Sequence, residues 1–128
     1  MNITEDYVSF ETAKLLKEKG FDEPCRAYWD DQPKLDVHTL FSSVESIKNS
    51  ERVGNTISGP THQMAMKWLR EVHNLHVWIG HSVDKGLSWY YEIHGISDGK
   101  VKHIGGIQCG SYEVAVESAL KYSLENLI

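Results

Sequence analysis

The stretch LHVWIGHSVDKGLSWYYEIHGISDGKVKHIGGI, Leu75 to Ile107, decides the fold. Apolar and polar residues alternate through it with the period of two that half-buried strands impose. Val77 and Ile79 fall on one face of its first segment, and His76, Trp78 and Gly80 on the other. In the next segment Leu87, Trp89, Tyr91 and Ile93 share the apolar face, while Ser88, Tyr90, Glu92 and His94 share the reverse. Val83 to Gly86 reads as a turn, and Asp98-Gly99 is a strong two-residue hairpin signal, because both types tolerate positive φ. Three antiparallel strands follow.

Keeping both apolar rows on one side restricts the register, since a slip of one residue exchanges the faces. A tight connection centred near Lys85 sets His76 opposite His94 and Trp78 opposite Glu92. The Asp98-Gly99 turn pairs Ser97 with Lys100 and sets His103 opposite His94. His76, His94 and His103 then form a row across three strands, with neighbouring Cβ atoms about 4.5–5.5 Å apart. Three imidazoles so placed could converge on one zinc, each nitrogen at about 2.0–2.1 Å. Histidines on a solvent-facing strand row are more commonly tolerated polar residues that bind no metal. A bulge at Gly80, Gly86 or Gly105 would break the row. His73 falls near a helix end, and His76 and His81 point to opposite faces of a regular strand. Glu92 could orient one of the histidines or act as a base, although a lone glutamate is more often a solvent residue.

Trp78 and Tyr90 share the histidine face. Two large aromatics on a nominally exposed face need an explanation. They could lie beneath residues 34–59, form a homodimer interface, or bind a protein partner or planar small ligand.

Helices flank the strands. Ser9 is a good N-cap for SFETAKLLKEK, and Gly20 is its left-handed stop, with Phe21 folding back. Phe10, Ala13 and Leu16 fall at helical spacing. The second helix, around PTHQMAMKWLREVH, places Pro60 near its first turn and Asn74 at its end. Met64, Trp68, Leu69 and Val72 read as its apolar stripe. The last helix opens after Ser111 and carries Val116, Leu120, Leu124 and Leu127 on one face. An early strand is expected at Cys25–Trp29. Residues 34–59 have no clean period and read as irregular, with at most a short strand or helix. The expected fold is therefore α+β, one domain over 1–128. Three helices pack on a mainly antiparallel sheet of three to four strands, in the order α-β-α-β-β-β-α.

At 128 residues the chain suits one domain and can bury a core without metal or disulfide. The formal net charge of −5 argues against nonspecific nucleic-acid binding, which needs a basic face. No apolar run reaches the ~18 residues of a membrane span. The acidic start MNITEDYVSF lacks a signal-peptide core, so a cytoplasmic protein is expected. Cys25 and Cys109 lack CxxC partners and read as free thiols of a reducing compartment. GNTISGPTH lacks the lysine of a phosphate loop, although a helix start could still take an anion. No residue carries a catalytic signature, and no cofactor is required.

The segments YVSFETAKLLKEKGFDEPCRAYWD, PTHQMAMKWLREVHN and YEVAVESALKYSLENLI together resemble a family of small uncharacterised proteins from gut Bacteroidales and their phages. The resemblance implies a phage or mobile-element accessory protein in the bacterial cytoplasm. It implies no activity. The leading expectation is a non-enzymatic protein that engages a host protein or small ligand through Trp78, Tyr90, Glu92, His76, His94 and His103. The alternatives are a metal- or histidine-dependent enzyme acting on a small polar or phosphate-bearing substrate, and a phage structural or self-assembly component.

Overall fold

A computed structural model describes residues 3–37, 46–83 and 88–128. Among these, three α-helices and two three-stranded antiparallel sheets make an α+β fold. The chain forms two compact units, 1–61 and 62–128.

The first unit opens with α1 (Phe10–Glu18). The Ser9 hydroxyl accepts the Thr12 N–H, which has no partner within the helix. Gly20 takes φ +94, and the Phe21 N–H returns to the Leu16 carbonyl at 2.9 Å, so the expected stop and fold-back are both present. The early strand, β1 (Ala27–Trp29), does not join the later three. It is the centre of its own sheet, between β2 (Leu35–Val37) and β3 (Ile57–Ser58). Cys25 precedes this strand and forms a two-bond bridge with Ile47. The Asp30 carboxylate shapes the β1–β2 turn by accepting the Gln32 and Lys34 N–H groups at 2.9 and 2.8 Å.

Arg52 ties this unit together. Its guanidinium donates to the carbonyls of Cys25, Ala27 and Ile47 at 3.0, 3.3 and 3.3 Å, and to the Ser58 hydroxyl at 2.7 Å. The ring of Tyr28 lies 5.3 Å from the guanidinium carbon. Only a planar fork satisfies so many acceptors at once. The segment expected to be irregular therefore holds two short strands and a 3₁₀ turn, Asn49–Glu51. Residues 38–45 lie outside the described residues.

The second unit begins with α2 (His62–His73), which Asn74 ends at φ +53. Trp68 and Leu69 are buried as expected, but Met64 and Val72 are exposed. His62, Ala65 and Met66 take the interior positions instead. Sorting residues by apolar type passed over a small alanine and a buried histidine, and these turn the inward stripe away from Met64.

The chain then forms β4 (Leu75–Ser82), β5 (Ser88–Ser97) and β6 (Lys100–Cys109), in that spatial order. Asp98 and Gly99 both have positive φ, as the two-residue hairpin requires. A bulge interrupts β6. Ile93 pairs with Ile104 and Tyr91 with Ile107, so Gly105 and Gly106 together face Glu92, with Gly106 at φ +65. Leu87 and all but Val83 of the turn expected from Val83 to Gly86 lie outside the described residues.

α3 (Tyr112–Tyr122) is capped by Ser111, whose hydroxyl accepts the Val114 N–H, and it continues into a π-helical turn, Ser123–Leu127. It packs on β4 and β5. The core of this unit joins Leu75, Tyr91 and Ile93 of the sheet to Val116, Leu120 and Leu124 of the helix. The reverse of the sheet carries the histidines.

Candidate functional site

The register of β4, β5 and β6 matches the sequence expectation. His76 pairs with His94, Trp78 with Glu92, and His94 with His103. The bulge at Gly105–Gly106 begins two residues beyond His103, so it leaves the row intact. The His76 and His94 rings stack nearly parallel, 6.1 Å between centroids and 16° between planes. His94 and His103 lie 6.4 Å apart at 44°. All three are exposed. The rings thus stand side by side on the strands. Among the described residues, no group of three His, Cys, Asp or Glu side chains is arranged to hold a metal ion.

The next rows hold the aromatics. Trp78 is 51 % exposed and meets Tyr90 edge-on, with centroids 5.9 Å apart. The pair is a diagonal one, within reach for aromatic side chains across neighbouring strands. Tyr90 leans over Gly80. A Cβ there would stand 2.5 Å from the tyrosine oxygen and 2.8 Å from Cε1, so only glycine lets the ring lie flat. Tyr90 and Glu92 are half-buried. On the other side of the histidine row, Ile96 and Val101 are exposed and paired. One sheet face therefore presents histidines between two apolar patches.

An open groove of about 490 Å³ adjoins Tyr90, lined also by His81, Ser82, Val83, Gly106 and Gln108. His81 belongs to the opposite face from His76, as its strand position predicts. Its ring packs on Trp89 at 4.4 Å, and Trp89 meets Tyr112 at the start of α3.

Sequence reasoning missed a second polar pair. His62, only 4 % exposed, sits at the first residue of α2, and its Nε2 lies 3.0 Å from Oε1 of Glu117 on α3. Its Nδ1 is buried without a hydrogen-bond partner among the described residues. The two residues are 55 positions apart, and no local pattern could have joined them. Among the described residues neither cysteine belongs to a metal-holding cluster. Both are free, Cys25 is buried, and burial pushes its thiol up to about 11.

No helix among the described residues is long and apolar enough to cross a membrane. No protein-family model, curated protein or solved structure matches this chain.

Proposed function

We propose that the protein works by binding, and that it engages a host protein or small ligand through the outer face of the β4–β5–β6 sheet. The observation that carries this reading is the half-exposed Trp78, held edge-on by Tyr90 beside three exposed histidines. Exposed aromatic anchors of this kind are enriched at the centres of interfaces, because they bury large area while losing little conformational freedom. The glycine beneath Tyr90 adds to the argument, since its missing Cβ leaves the ring room to lie against the strand beside Trp78. The histidine row contributes hydrogen-bond donors and acceptors at the centre of the patch. The resemblance of the sequence to small Bacteroidales and phage proteins supports an accessory role in the bacterial cytoplasm.

Capture from a host lysate, read by native mass spectrometry, tests the reading. A defined bound mass should appear with the native chain and disappear with Trp78→Ala and His94→Ala, while both variants melt near the native temperature. Equal recovery by all three proteins, or no bound mass at all, would remove the basis for this function.

A further inference from the structure

The two edges of the second sheet differ. β6 is guarded against further pairing by Lys100, Lys102 and the glycine bulge. Edge lysines and bulges are the usual means by which sheets avoid adding strands. β4 has none of these. Its eight residues, LHVWIGHS, include no Asp, Glu, Lys, Arg or Pro, and its register against β5 runs unbroken from Leu75 to Ser82. Among the described residues no strand pairs with its free edge.

The direction of the ladder follows from one bond. The Ile96 N–H donates to the Asn74 carbonyl at 3.2 Å. In an antiparallel pair alternate residues bond the neighbour. His76, Trp78 and Gly80 therefore bond toward β5. The N–H and C=O groups of Val77, Ile79 and His81 point out from the edge.

We propose that β4 pairs antiparallel with β4 of a second copy, joining the two sheets into one of six strands about a twofold axis beside Trp78. Setting Val77 opposite Ile79 of the second copy keeps both core faces on one side and both histidine faces on the other. The outward groups of Val77 and Ile79 then meet their counterparts, and the two Trp78 side chains lie opposite each other. A second copy fits this edge because the strand has no acid or fixed cation, so two identical edges meet without like charges at the contact, and the mutual repulsion of the two net −5 chains is left to the screened surface away from it. A twofold contact uses the same patch on both subunits, and the guarded β6 edge stops growth at two. The proposal rests on the backbone edge, and stands whether or not the histidine face takes a host partner.

Sedimentation and amide exchange on the purified chain test it together. The native chain should sediment as a dimer, and the Val77, Ile79 and His81 amides should exchange roughly tenfold or more slowly in the dimer than in the dilute monomer. Trp78→Lys and Trp78→Glu should each be folded monomers, because like charges would meet at the axis. Mixed in equal amounts, they should restore the dimer. A native chain that stays monomeric at its highest soluble concentration would overturn the proposal, as would open-ended polymers. Failure of the Lys/Glu mixture to associate would overturn the stated register. Slow exchange at these amides only in lysate would assign the edge to a foreign strand.

Discussion

A Cβ on Gly95 would run into the carbonyl oxygen of Asn74 and would stand 3.1 Å from the Leu75 Cα. Asn74 turns the chain from α2 into β4 with φ +53, and this brings its carbonyl over the neighbouring strand, where Ile96 donates to it. Gly95→Ala would push backbone against backbone, which no rotamer change relieves. It should cost about 1–3 kcal/mol, as overpacking does, measured by urea unfolding. Asn74→Gly should be nearly neutral, because glycine accepts the same φ, whereas Asn74→Val should destabilise.

Two of the three tryptophans of the second unit, Trp68 and Trp78, should behave oppositely. Trp68 is 5 % exposed, and Trp68→Ala should lose about 3–5 kcal/mol. Trp78→Ala removes a half-exposed ring and should cost less than about 1 kcal/mol of monomer stability. Denaturant midpoints of both variants, taken at one low protein concentration, check the contrast.

His62 and Glu117 join α2 to α3 through one 3.0 Å bond. Glu117→Leu should leave the buried Nε2 without its acceptor and cost about 1–3 kcal/mol. The double variant His62→Leu with Glu117→Leu should recover part of that loss, because neither buried polar atom is then stranded. A double-mutant cycle in urea measures the coupling.

Cys25 fixes an alkaline limit. Its thiol is held neutral by burial, with its pKa raised from 9.0 to about 11. The unfolded chain therefore gives up this proton at lower pH than the native one. Stability from this group is complete below pH 9 and is lost as pH rises to about 11, up to about 2–3 kcal/mol. Burial raises the Tyr91 hydroxyl in the same direction, so the loss continues above pH 10. Unfolding midpoints between pH 8 and pH 11 should fall, and Cys25→Ser should flatten the first part of that fall. At pH 8 an alkylating reagent should label the half-buried Cys109 before Cys25.

An acid limit has the opposite sign. Backbone and side-chain hydrogen bonds from Ser50 hold the Asp22 carboxyl below its usual range, and the Lys34 and Gln32 N–H groups do the same for Asp30. The stability these carboxylates supply is present above their ordinary pKa and is lost as pH falls through the depressed one. Asp22→Asn and Asp30→Asn should each make acid unfolding less steep, followed by circular dichroism.

The sequence by itself determined whatever depends on neighbours along the chain. Ser9 and Ser111 cap helices because a short hydroxyl reaches a first-turn N–H from one position only. Asn74, Asp98 and Gly99 take positive φ because their types allow it. The Asp98-Gly99 turn leaves one register for β5 and β6 and so sets His103 opposite His94, while alternation, which excludes odd slips, together with a connection centred near Lys85 sets His76 opposite His94. Tertiary structure alone decided the rest. A bulge did form at Gly105–Gly106, and it spared the row because the register counted from the Asp98-Gly99 turn reaches His103 before it. Met64 and Val72 came out exposed because Ala65 and a buried His62 complete the packed stripe. β1 became the centre of a separate sheet by pairing with β3 some 28–30 positions on, and Arg52 reached the carbonyls of Cys25 and Ala27, 27 and 25 positions back. Such contacts depend on where the chain returns in space. Their stabilisation comes from burial and hydrogen bonding that a one-dimensional pattern does not carry.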